Sequence, residues 1–384
     1  MTEKRGQKPA AVRDTNIKLV MQLLFDGSRS RSDLAESVSL SNPALTKIID
    51  ELIGIGLVRE GGEIATKARG RKKVDLAVNG NFAHVLGVDF SSNEIIIALA
   101  DFSKKIVLSD ELFDSEIITK EVLAKVVERI KEMLGKARVK AECLCIGVPG
   151  KVDVRTGEVR TSAYKYRDLQ DINIVEYFEN ALSVKTVAVN DASLHMLAEK
   201  VYGGRERDSA LIYNDFGTGG ALWLGGEAFE SASGLAAEFG IAPVSYRGEN
   251  YIYEDICSIN AMLRECGYEV NAPKSYERFL RAYSDGAEKE RMAAERSANG
   301  IALLIRSIVC LTGCTEIIIN GKICDLGGGY LEAVKRFLLE EKTERIARVA
   351  VHYGRFGKNG TIVGAIEKAV GQTIDWEIEK RNET

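Results

Sequence analysis

From Thr15 onward, Ile17, Val20, Met21 and Leu24 recur at helical spacing. Asp26-Gly27-Ser28 ends that helix, with Gly27 suited to its cap. Ser30 stands at the N-cap of a second helix, with Asp33 at its third position and Leu34, Ala35 and Val38 facing inward. After a short turn, Ser39-Leu40-Ser41, a third helix is capped by Ser41. Pro43 falls in its first turn, where a missing N–H is harmless. Leu45, Ile48, Ile49, Leu52 and Ile53 form its apolar stripe. Gly54 to Glu60 reads as a turn into a strand, and Glu63-Ile64-Ala65 begins a return path. Val74 to Val78 alternates apolar and polar, as a half-buried strand does. Two short helices joined by a tight turn and followed by a ribbon predict a winged helix-turn-helix over residues 10–78.

Beyond Asn79-Gly80 the pattern changes. Val85–Phe90, Ile95–Ala100, Lys105–Leu108, Glu142–Val148, Thr186–Val189, Ala210–Asn214 and Glu316–Ile319 read as strands. Residues 119–137 and 286–313 carry the helical period, and a helix follows Asn190-Asp191. Strands alternating with helices predict an α/β body.

Composition adds the class of partner. Residues 1–80 hold 14 Lys+Arg and 10 Asp+Glu, a net of +4; the remaining 304 hold 38 and 46, a net of −8. A basic segment on an acidic body points to nucleic acid as the partner of the N-terminal unit. Apolar runs reach only about six residues, as in Ile95–Ala100, too few for a membrane-spanning helix. The first ten residues have no apolar stretch resembling a secretory signal, so a cytoplasmic protein is expected. Seven cysteines and three histidines show no zinc-ligand spacing, which predicts reduced, buried thiols.

The N-terminal end of a recognition helix is the part that meets base edges. There the third helix carries Asn42, Ala44, Thr46 and Lys47. Lys67, Arg69, Arg71, Lys72 and Lys73 form a basic wing able to pair with phosphates or reach the minor groove. The competing reading is a helical protein-interaction module with a solvated basic loop.

Acids and glycines follow the strand ends of the body, where ligands sit in open α/β sheets. Singly, each is weak: Asn190-Asp191 suits a helix cap, and Gly217-Thr218-Gly219-Gly220 a tight turn. Together with the winged unit they resemble the ROK family (repressors, open reading frames and sugar kinases) from about Arg13 to Ala369. The supporting stretches are Ser28–Glu60, Arg69–Lys73, Leu86–Asp89, Ile146–Gly150, Val189–Ala192, Asp215–Gly219, Gly234–Gly240 and Gly360–Ala365. The resemblance implies an actin-like, ribonuclease-H-like body of two lobes around a sugar cleft. The lobes would span about 82–190 plus the C-terminal helix, and 191–356, within residues 79–384. Asp191 matches the family's catalytic base. Gly150, Asn190, Asp191 and Glu238 are the expected sugar-binding residues.

The sequence departs from the kinase pattern. The resemblance implies glycines and a threonine after the first strand's aspartate, where ATP phosphates approach the backbone; here Asp89 precedes Phe90-Ser91-Ser92-Asn93. The second phosphate loop, after Gly219, is about two residues short. The family histidine that follows the glutamate is replaced by Ile241, and the family's cysteine cluster by a stretch with Tyr246, Tyr251, Tyr253 and only Cys257. No metal, no cofactor and no kinase activity are therefore expected. A ligand less polar beside Ile241, or weaker binding, is expected too. The predicted protein is a homodimeric or larger repressor that binds duplex DNA and senses a sugar. The alternatives are an active ATP-dependent sugar kinase with a DNA-binding unit, or a regulator that has lost sugar binding.

Overall fold

The computed structural model describes residues 9–64, 73–91, 94–114, 117–152, 159–160, 169, 172–229, 236–340 and 346–382. The chain opens with α1 (Pro9–Phe25), β1 (Arg29–Ser30), α2 (Arg31–Ser37), α3 (Asn42–Ile55), β2 (Val58–Ile64) and β3 (Lys73–Val78). The strands form an antiparallel sheet in the order β1-β3-β2. Both expected caps form. Ser30 accepts a hydrogen bond from the Asp33 N–H at 3.3 Å, and Ser41 from the Ala44 N–H at 3.4 Å. These bonds satisfy backbone donors that a helix start leaves without partners. The third helix runs on through Gly54 and Ile55, expected to lie in a turn, and stops at Gly56 with φ 95°. The apolar stripe of α3 includes Ile55 as well, so burial carries the helix over Gly54.

The first lobe comprises β4 (His84–Asp89), β5 (Glu94–Asp101), β6 (Ile106–Asp114), α4 (Lys120–Ala137), β7 (Cys143–Val148), a short ribbon of β8 (Lys151–Val152) and β9 (Val159–Arg160), α5 (Ile174–Leu182) and β10 (Lys185–Asn190). Its main sheet has the order β10-β7-β4-β5-β6. The pairs β10·β7 and β7·β4 are parallel, and the rest antiparallel. One face packs on α4 and α5 through Leu123, Val127, Ile130 and Phe178.

α6 (Asp191–Gly203) crosses to the second lobe. That lobe begins with β11 (Ser209–Asn214), β12 (Thr218–Leu224), β13 (Glu227–Ala228), β14 (Pro243–Tyr246) and β15 (Glu249–Ile252). It continues with α7 (Glu254–Cys257), α8 (Ile259–Cys266), α9 (Pro273–Ser284), α10 (Glu288–Thr312), β16 (Glu316–Asn320), α11 (Gly327–Leu339) and β17 (Ala350–Tyr353). The sheet order is β13-β12-β11-β16-β17. Its core lies between the sheet and α10 with α11. The glycine run belongs partly to β12: Gly219 pairs with Tyr213 and Gly220 with Ile212, which leaves only a three-residue turn, Asp215-Phe216-Gly217.

The last helix, α12 (Gly360–Asn382), returns to the other face of the first-lobe sheet. A Cβ at Gly147 would lie 2.4 Å from Thr361 Cγ2, and one at Gly364 2.0 Å from the Leu194 carbonyl oxygen. Only glycine at these points lets α12 seat between β7 and α6. Ile17, Met21 and Leu24 of α1 share one continuous core with Phe102 of the first lobe and Ile366, Val370 and Ile374 of α12.

All seven cysteines are free thiols, and four are buried. Cys310 is a correction to the expected burial: it is exposed near the end of α10, while Cys266 and Cys324 are half-buried. No helix among the described residues is long and apolar enough to cross a membrane.

Candidate effector cleft and DNA-reading face

Strand β10 delivers Asn190 to the N-cap of α6. Its Oδ1 accepts from the Ser193 N–H at 3.1 Å, while its Nδ2 donates to the Gly150 carbonyl at 2.9 Å. Gly150, at φ 116°, adopts a backbone form open mainly to glycine. Asn190 therefore caps a helix and also ties together two strand-end loops. A helix start normally holds a carboxyl group down, yet the Asp191 carboxyl is pushed up to about 7. Burial is the main cause, and the nearby charges of Asp89 and Asp215 add to it. Asp89 and Asp215, which end or follow other strands, are thus near enough to Asp191 to disfavour its charge.

Asp89, at the end of β4, is fully buried. The Ser91 N–H and hydroxyl donate to its Oδ1 at 2.7 and 2.6 Å. Ser91 thus caps the carboxylate where the family resemblance implies a glycine open to phosphate; Ser92 and Asn93 lie outside the described residues. Ser91 Oγ also lies 3.4 Å from Thr361 Oγ1, which in turn is 3.3 Å from His195 Nδ1. Burial pushes His195 down to about 4, so the ring is neutral. Its Nε2–H then donates to the Gly357 carbonyl at 2.9 Å, leaving Nδ1 as the acceptor for Thr361.

Glu238 leads the short turn Phe239–Ile241 of the second lobe. A Cβ on Gly240 would meet the Thr218 carbonyl oxygen at 2.1 Å, so this turn lies against the start of β12. Glu254 fastens the two. Its Oε2 accepts from the Thr218 N–H at 3.0 Å and fills the space beside Gly217 and Gly240. In the sequence Glu254 carries no signal beyond being an acid in the first turn of a helix. Ile241, the last residue of the Phe239–Ile241 turn, is 56% exposed. Tyr246 and Tyr253 are buried and serve packing. The Arg296 guanidinium lies over the rings of Tyr246 and Tyr251, 5.7 and 5.8 Å from their centroids. Among the described residues, no group of three or more His, Cys, Asp and Glu side chains is arranged to hold a metal ion.

On the N-terminal unit, Asn42, Ala44 and Lys47 are exposed at the start of α3, with Thr46 half-buried beside them. Leu45, Ile48 and Ile49 anchor the opposite side of the helix. Arg31 is engaged by Asp50 and Glu60, at 2.7 and 3.2 Å. Lys67, Arg69, Arg71 and Lys72 lie outside the described residues, and Lys73 opens β3.

The ROK family model matches residues 85–369. The chain belongs to the ROK family. Among ROK relatives, the DNA-binding transcriptional repressor Mlc of Escherichia coli (strain K12) is 26% identical over 279 residues, 69% of this chain and 68% of that one. The putative xylose repressor of Caldicellulosiruptor sp. (strain Rt8B.4) is 24% identical over 398 residues, covering 95% of this chain and 98% of that one. A solved ROK transcriptional regulator, described as a homolog of the E. coli Mlc protein, superposes with a TM-score of 0.77 at 21% identity, over 96% of this chain and 98% of that one. It shares the whole fold, N-terminal unit included. Kinases match the body too: the N-acetylmannosamine kinase of Salmonella typhi is 25% identical over 75% of this chain and 99% of its own length.

Proposed function

We propose that the chain is a DNA-binding transcriptional repressor. Residues 10–78 read an operator, and the body, residues 79–384, senses a sugar or sugar derivative without phosphorylating it. The observation that carries this reading is the winged unit with an exposed α3 start, set ahead of a ROK body. The full-length match to a putative xylose repressor supports it. Asn42, Ala44, Thr46 and Lys47 would meet base edges, while Lys67, Arg69, Arg71, Lys72 and Lys73 contact the phosphate backbone. Gly150, Asn190, Asp191 and Glu238 would line the effector cleft, with Glu254 holding the Glu238 turn. A carboxylate offers several acceptor sites to hydroxyls. As a dimer, the protein would present two recognition helices to a palindromic site.

Selection of duplexes from a random library, followed by gel-shift titration, tests the reading. An enriched, roughly palindromic site is expected. Replacing Arg69, Arg71 and Lys72 by alanine should weaken binding to all sequences and flatten its salt dependence. Failure to enrich any duplex would refute the proposal.

One observation favours a second reading, a sugar kinase carrying a DNA-binding unit. Asp191 is retained and its carboxyl sits near 7, in the range of a general base. Against it, Ser91 caps Asp89 where phosphate would need open backbone, and phosphoryl transfer depends on that cradle. A coupled assay with ATP over hexoses, pentoses and amino sugars decides between the two, and no turnover is expected.

A further inference from the structure

Glu367 lies within α12, and its side chain is only 5% exposed. It accepts a hydrogen bond from the Tyr202 hydroxyl at 2.9 Å and pairs with Lys104 at 2.5 Å. Tyr202 belongs to the last turn of α6, the helix that crosses between the lobes. Lys104 sits in the β5–β6 turn of the first lobe, and its side chain is 12% exposed. The same ammonium lies 3.9 Å from the centroid of the Phe25 ring. Phe25 is the last residue of α1, and its ring stands 6.1 Å from that of Phe102. One buried ion pair therefore touches the N-terminal unit, the first lobe and both crossing helices. Farther along, Lys18 of α1 pairs with Asp375 of α12 at 2.8 Å, and Arg13 and Arg381 both reach Glu51 of α3.

We propose that Glu367 is a positioning residue that pins the DNA-reading unit to the first lobe and α12. The three then move as one rigid body, and a swing of the second lobe reaches the DNA through Tyr202. This rests on the regulator reading above. A unit on a loose tether would lose the orientation of the lobes. A unit sharing a core and a buried ion pair with them keeps it, because packed interfaces shift between discrete states rather than bending continuously. Glu367→Gln keeps the shape but strands the Lys104 ammonium without its counter-charge. Adding Lys104→Met removes that charge as well.

Amide hydrogen exchange read by mass spectrometry on the full chain tests the pin. In Glu367→Gln, exchange over residues 12–25 should accelerate by at least about tenfold, while β11 and β16 of the second lobe stay as in wild type. The double variant with Lys104→Met lacks the pair and the cation over Phe25 altogether, so exchange over 12–25 should stay at least as fast as in Glu367→Gln, and recovery of wild-type protection would overturn the proposal. Unchanged exchange over 12–25, or equal acceleration in β11 and β16, would overturn the proposal. Should Glu367→Gln fail to fold, Tyr202→Phe is the milder probe. It should speed exchange over 12–25 and at 362–370 by a few-fold, and no change there overturns the pin. A duplex selected from a random library adds a second arm. In wild type it should slow exchange at residues 102–108 and 362–370 as well as at 30–60; in Glu367→Gln, only at 30–60. Protection confined to 30–60 in wild type contradicts the pin. If no duplex can be selected, the regulator reading fails, and the exchange comparison without DNA still decides the pin.

Discussion

Replacing Asp191 by asparagine should stabilise the protein at alkaline pH and do nothing at acid pH. Asp191 is buried beside Asp89 and Asp215, and its carboxyl is raised from an ordinary 3.8 to about 7. In the unfolded chain the group ionises as pH passes about 4. In the folded chain it keeps its proton until about pH 7. Between those values the unfolded state sheds a proton that the folded state retains, so rising pH favours unfolding. The loss is complete above the folded value. At 1.36 kcal/mol per pH unit it amounts to something on the order of 4 kcal/mol. The introduced amide would keep the Oδ1 acceptor that receives the Ala192 N–H at 2.9 Å and could never ionise. Urea unfolding of both proteins at pH 4 and pH 8 measures the effect. The variant should match wild type at pH 4 and gain several kcal/mol at pH 8. An equal difference at the two pH values would refute the reasoning, because the carboxylate would then not be held in an environment hostile to its charge.

His195 should show the opposite sign. Its value falls to about 4 on burial, so between pH 6.5 and 4 the unfolded chain takes up a proton that the folded one refuses. Acidification over that window should destabilise wild type more than His195→Gln, by about 3 kcal/mol in the same urea assay. Gly364→Ala should lower the thermal midpoint sharply, since its methyl group would meet the Leu194 backbone at 2.0 Å. Gly371→Ala, with nothing within 4 Å of the new methyl group, should raise stability by about 0.5–1 kcal/mol. Asn42→Ala or Thr46→Ala should alter the sequence preference of DNA binding at one or two base pairs, read by repeating the selection, while leaving the salt slope as it is. An unaltered preference would remove α3 from the base-reading role.

The sequence alone determined whatever depends on neighbours a few residues apart. The caps at Ser30 and Ser41, the apolar stripe of α3, the strands ending in Asp89, Asn190 and Asn214, and the α/β character of the body were all readable from spacing. Caps and amphipathic faces are satisfied within about one helical turn or one strand. For the same reason Asn190 could be singled out at a strand end but not seen to hold Gly150, forty residues away.

Only the tertiary structure decided which residues work together. Ser91 and Thr361, 270 positions apart, sit side by side and connect Asp89 to His195. Glu254 joins the Glu238 turn to the start of β12, and Glu367 gathers Tyr202 and Lys104, whose ammonium reaches Phe25. Gly219 and Gly220 read as part of a loop, yet pairing with β11 draws them into a strand. None of these partners leaves a local trace. A buried charge is tolerable only where distant chain segments converge to exclude water and supply a counter-charge or a donor, and that convergence exists only once the sheets and crossing helices have packed.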